Sequence, residues 1–122
     1  MRGEGREVVR ALVMDAICDD YENIDQTILH EVAIAGAKCG LTIERSEVVD
    51  TLAGLIADGL ATAYHLSTKE PFATALPGMP PVNEIDEYTC FYLTKKGLEL
   101  KLSDNARWPF DDDGNPIPEM VK

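Results

Sequence analysis

Basic residues are scarce in this chain. Eleven Lys and Arg stand against twenty-two Asp and Glu in 122 residues, a formal net charge of −11 with a pI near 4.4. A protein this acidic is repelled by phosphate backbones and by anionic lipid surfaces unless its few cations gather on one face. Cysteine is sparse as well. Cys18, Cys39 and Cys90 lie far apart with no Cys-x-x-Cys pair, which argues against a zinc site and a disulfide framework. The expectation is reduced, buried thiols. Apolar runs such as Val32 to Ala37 are too short to span a bilayer. The charged N-terminal stretch, Met1 to Glu7, leads into no apolar signal core, so no secretory leader is expected and the chain reads as cytoplasmic.

Catalytic signatures are missing too. His30 and His65 are the only histidines. His30 reads as a helix-boundary residue and His65 as an exposed strand residue. No His-x-x-x-His pair, Gly-x-Ser-x-Gly elbow, Walker loop or dinucleotide fingerprint occurs. The Asp111-Asp112-Asp113-Gly114-Asn115 stretch fails the calcium-loop register, because counting from Asp111 puts Pro116 where the loop requires Gly. It reads as an acidic turn. A non-enzymatic protein without a cofactor or a metal is expected.

Apolar residues make up 45% of the chain and charged residues 27%, the usual mixture for a globular domain. At this length one core can form without staples. Val8, Val9, Leu12, Val13, Ala16 and Ile17 form one stripe of a helix over Glu4 to Asp20. A second helix opens after Ile24-Asp25, with Asp25 as cap and Ile24 and Leu29 as a hydrophobic staple. It runs past Lys38 to a left-handed stop at Gly40. Its small Ala35-Gly36-Ala37 run would admit another helix closely. A third helix spans Glu44 to Asp58, with Val48, Leu52, Leu55 and Ile56 turned inward and Gly59 closing it.

The period then changes to two. Leu60 to Leu66 and Tyr88 to Leu93 read as the strands of a hairpin. Between them, residues 67–87 carry Pro71, Pro77, Pro80 and Pro81 and read as an extended loop. Thr94 caps a short helix over Lys95 to Leu102. Residues 103–122 read as an irregular, acidic tail.

Two segments carry a resemblance. Glu47-Val48 leading through Leu52 and Leu55 to Asp58-Gly59-Leu60, and Tyr92-Leu93-Thr94-Lys95-Lys96-Gly97, are similar to the third-helix signature and the strand-to-helix join of the winged helix-turn-helix superfamily. The element order is like that of its MarR and PadR branches. The resemblance covers residues 6–102. It implies an α+β, mainly α fold: a winged-helix domain over 1–102, made of a three-helix bundle, a hairpin wing enlarged by the 67–87 loop and a short C-terminal helix, with the tail at 103–122.

The superfamily's usual role implies DNA binding through the third helix and the wing. Here the outward face of that helix holds Glu44, Glu47, Thr51, Gly54 and Asp58, with none of the Arg, Lys, Asn or Gln that read purine edges. The hairpin and its loop add Glu70, Glu84, Asp86 and Glu87 against Lys69 alone. Only Thr94 to Leu102 is net positive, with Lys95, Lys96 and Lys101 against Glu99. The favoured reading is a protein-interaction module, a homo-oligomer included. Its candidate contacts are Phe72, Leu76 and Met79 in the loop, and Trp108 and Phe110 in the tail. A polar tail with the chain's only Trp either docks that ring on its own core or offers it to a partner. The competing reading is a DNA-binding regulator, with Arg45 and Thr51 at the groove and Lys69, Lys95 and Lys96 at phosphates. A third is an acidic mimic that occupies a partner's nucleic-acid site.

Overall fold

The computed structural model describes residues 3–18, 21–103, 110 and 115. Among them the chain forms an α+β fold of four α-helices and a four-stranded antiparallel sheet. In chain order the elements are α1 (Gly3–Ala16), β1 (Glu22–Asn23), α2 (Leu29–Lys38), α3 (Arg45–Ala57), β2 (Ala61–Leu66), β3 (Ala73–Ala75), β4 (Thr89–Leu93) and α4 (Lys95–Ser103). The sheet order is β1-β4-β2-β3. α1 packs against α2, α3 and α4, and α3 packs on β2.

The core follows the apolar periods. Val8, Val9, Leu12, Val13 and Ile17 from the first helical segment meet Ile24, Ile28 and Val32 from the second. Val48, Val49, Leu52 and Leu55 of α3 close on Ala61 and Ala63 of β2 and on Phe91 of β4. The alternation in β2 turns its alanines inward. Their small size leaves room for Phe91, which is wholly removed from water and supplies the largest apolar area of the sheet's inner face.

Several expectations need correction. α1 stops at Ala16 rather than Asp20, because the chain turns so that the Ile17 carbonyl accepts the Leu93 N–H at 3.0 Å. The cap before α2 is Asn23, whose side chain accepts from the Gln26 N–H at 2.9 Å, and not Asp25. One turn of π-helix, Ile24–Ile28, then leads into α2. At Gly36 of the Ala35-Gly36-Ala37 run it is the Ile43 side chain, from the following connection, that fills the space a Cβ would need. α3 proper spans Arg45–Ala57, and its expected end residues Glu44 and Asp58 are its caps. On α3, Val49 is buried and Ile56 only half-buried. The paired strands begin at Ala61 and Thr89, so Leu60 and Tyr88 lie outside them. Residues 67–87 are not loop throughout: they contain β3, paired antiparallel with β2, and a 3-10 turn at Val82–Glu84. The brief β1, paired with β4, has no counterpart in the sequence reading. α4 reaches Ser103, one residue past the expected boundary.

Two helix ends share one device. After α2, Gly40 adopts φ +77, Leu41 N–H reaches the Gly36 carbonyl and Gly40 N–H the Ala37 carbonyl. After α3, Gly59 adopts φ +76, with the same paired bonds from Leu60 to Leu55 and from Gly59 to Ile56. This double bond pattern around a left-handed glycine satisfies the last carbonyls of the helix.

The second of these ends sits against the start of α4. Thr94 N–H donates to the Leu60 carbonyl at 2.9 Å. The Thr94 hydroxyl donates to the Gly59 carbonyl at 2.8 Å and accepts the Gly97 N–H at 3.0 Å. Gly97 lies so near that a Cβ there would collide with the Leu60 carbonyl. Gly97→Ala is therefore expected to lose about 1–3 kcal/mol. Gly54, on the open face of α3, offers the opposite case: Gly54→Ala is expected to gain roughly 0.5–1 kcal/mol through helix propensity. Urea melts of the two variants check both signs.

Candidate interaction surface

α3 begins with a reciprocal cap. The Glu47 N–H donates to the Glu44 carbonyl at 3.0 Å, and Glu47 Oε1 accepts from the Glu44 N–H at 3.1 Å, in a capping-box arrangement. Both carboxylates face solvent, beside the helix's positive end, where acids are stabilising. Farther along stand exposed Asp50 and Asp58, with half-buried Thr51 between them. The Thr51 hydroxyl turns back and donates to the Glu47 carbonyl at 2.7 Å. Of the residues expected on the outward face, Glu44, Glu47, Gly54 and Asp58 are exposed and Thr51 is half-buried.

Four described cations are held by carboxylates or carbonyls. Arg45 makes a two-pronged contact with Asp25, at 2.8 Å from Nε and 3.3 Å from Nη2, and the hydrogen bond to Asp25 raises its pKa above the ordinary guanidinium value. Arg10 Nη1 lies 3.4 Å from Asp58 Oδ2, and Lys96 Nζ donates to the Asp58 carbonyl at 3.2 Å. Lys101 pairs with Asp15 at 3.3 Å. Lys69 and Lys95 are exposed and form no ion pair among the described residues. The candidate DNA contacts are thus split. Arg45 and Lys96 are committed locally, and Lys69 sits in the connection between β2 and β3, apart from Lys95 at the start of α4.

The apolar candidates divide in the same way. Leu76 and Met79 are half-buried and pack against the core, whereas Phe72 is 58% exposed. Phe110 is half-buried against the core, so the tail returns to the domain at that point. Trp108 and the Asp111-to-Gly114 turn lie outside the described residues. His30 and His65 are both exposed, and Cys39 and Cys90 are buried while Cys18 is half-buried, with no disulfide joining any of them. Among the described residues no group of three His, Cys, Asp or Glu side chains could hold a metal ion. No described helix is long and apolar enough to cross a membrane.

One cluster was not anticipated. Tyr21 stands edge-on to both Tyr64 and Tyr92, with ring centroids 4.9 Å apart in each pair. Tyr64 and Tyr92 share the outer face of the sheet because Thr62 pairs with Tyr92 and Tyr64 with Cys90. The strand alternation could have placed those two rings together. Tyr21 joins them only through the pairing of β1 with β4. Such edge-to-face contacts favour the ring quadrupoles and cover part of the sheet's outer side.

No family model matches this chain, and neither does a curated protein or a solved structure.

Two outcomes test this geometry. Asp25→Ala should lower stability by no more than about 1 kcal/mol, because an ion pair this exposed is screened by water. A denaturant titration measures that loss. Burial raises the Cys39 pKa, which suppresses its reactive thiolate at neutral pH. Iodoacetamide should label Cys39 only as fast as the protein opens, as peptide mapping by mass spectrometry would read.

Proposed function

We propose that this chain is a non-enzymatic winged-helix module that works through contacts with proteins, copies of itself included. The winged-helix reading is supported by the element order, three helices with β1 between the first two, then β2, β3 and β4 and a further helix. It is supported also by the contact between the two motif segments at Gly59, Leu60, Thr94 and Gly97. A fold alone does not assign a role, so the functional reading has to come from the surface.

One observation carries that reading. The face of α3 that would enter a DNA groove presents Glu44, Glu47, Asp50 and Asp58, and the one cation of that helix, Arg45, is engaged by Asp25. Duplex DNA binding draws most of its affinity from neutralised phosphates. Carboxylates along the reading helix repel the same phosphates. A protein surface with Lys and Arg is the complementary partner for such a face. The contacts proposed for it include exposed Phe72, half-buried Leu76 and Met79, and the tail segment with Trp108 and Phe110.

A gel-shift titration with random duplex DNA at low ionic strength tests the proposal. No retardation is expected. Strong retardation that disappears in the Lys95→Glu plus Lys96→Glu variant would overturn it and return the chain to the DNA-binding regulators.

A further inference from the structure

The geometry points to the outer edge of β3 as a self-association surface that pairs antiparallel with β3 of a second copy. The inference rests on the protein-contact reading above and names one of its partners. β3 is the edge strand of the sheet on the β2 side. Its pairing with β2 sets Tyr64 opposite Ala75, His65 opposite Thr74 and Leu66 opposite Ala73. Ser67 N–H donates to the Phe72 carbonyl, and Leu76 N–H to the Ala63 carbonyl. Bonded pairs alternate along an antiparallel ladder, so the bonded pair between those two is His65 with Thr74. Ala73 and Ala75 therefore direct their N–H and C=O groups away from β2. Among the described residues no main-chain group bonds to them there. An edge with open donors and acceptors is a template for another strand.

The sequence of this edge identifies its partner. Pro71-Phe72-Ala73-Thr74-Ala75-Leu76-Pro77 reads nearly the same in both directions about Thr74. A two-fold axis beside Thr74 sets Ala73 opposite Ala75 of the second copy, and the reverse. Each such pair exchanges two main-chain hydrogen bonds. Phe72 falls opposite Leu76, which packs on the edge of the core. That contact would cover a ring left 58% exposed in the single chain. At the next outward positions, Pro71 and Pro77 have no N–H to offer. A longer foreign strand finds no further donor there, only the proline carbonyls, whereas a second copy carries the same prolines at the same ends. The segment from Phe72 to Leu76 holds no charge, so the repulsion between two chains of net charge −11 does not act at the contact itself.

Five residues a side make a small interface, well under the roughly 1,000 Å² expected of a tight complex. The dimer is accordingly weak and concentration-dependent, and added salt strengthens it by screening the like charge of the two chains. Sedimentation velocity across a concentration series should show a monomer–dimer equilibrium shifted toward dimer at higher salt. Ala75→Pro removes an outward donor without breaking a bond to β2, so it should leave the melting temperature of the dilute protein near that of the parent and abolish the dimer. Thr74→Cys places two thiols across the axis at a non-bonded pair, about 4.5 Å between Cα atoms, within disulfide reach. Under mild oxidation it should cross-link an order of magnitude faster than Glu84→Cys, whose position is also exposed. A monomer at every concentration, a dimer unchanged by Ala75→Pro, or equal cross-linking of the two cysteine variants would overturn the inference. These readouts are independent of the gel shift. A monomer that ignores DNA defeats this edge alone, and a β3-linked dimer that retards DNA defeats the protein-contact reading alone.

Discussion

The corner formed by Gly59, Leu60, Thr94 and Gly97 fixes how the helical and sheet parts of this protein meet. Four element ends converge there: the close of α3, the start of β2, the end of β4 and the first turn of α4. A left-handed glycine turns the chain out of α3, and the Leu60 carbonyl then accepts from Thr94. The Thr94 hydroxyl donates to one segment and accepts from the other, so a single side chain locks the base of the hairpin to the helix that precedes it. Only a residue without a Cβ lets α4 come this close to the Leu60 main chain. Backbone contacts of this kind tolerate little adjustment, because interiors are packed densely and strain spreads to neighbours.

Electrostatics shapes the outer surface as firmly as packing shapes the corner. The chain has half as many bases as acids, and four of the described cations have local partners: Arg10 on Asp58, Arg45 on Asp25, Lys96 on a helix-end carbonyl and Lys101 on Asp15. Each exposed pair adds little to stability. Arg10, Arg45 and Lys101 are each engaged in this way by a carboxylate from another part of the chain. Lys96 adds a helix-terminal interaction, its charge resting at the negative end of α3.

The β3 edge is the other exposed feature with consequences. β1 is two residues long and β3 three, and short edge strands limit uncontrolled pairing. The prolines flanking β3 restrict it further. What remains is a brief, nearly symmetric run of main-chain donors and acceptors beside an exposed Phe72, with a tyrosine cluster on the outer face of the same sheet.

The amino-acid order was sufficient for the three apolar helix stripes, for both glycine stops, for the alternation in β2 and β4 and for Thr94 as a cap. Each of these signals lies within a few residues of the element it defines. The acidic outer face of α3 was legible for the same reason. The cap at Asn23, the commitment of Arg45 to Asp25, the filling of the Gly36 gap by Ile43, strands β1 and β3 and the tyrosine cluster were decided by the folded arrangement. A two- or three-residue strand has no period to read and exists only because a neighbouring edge supplies its hydrogen bonds. Which carboxylate meets which guanidinium depends likewise on helices that pack side by side after their own local signals are exhausted.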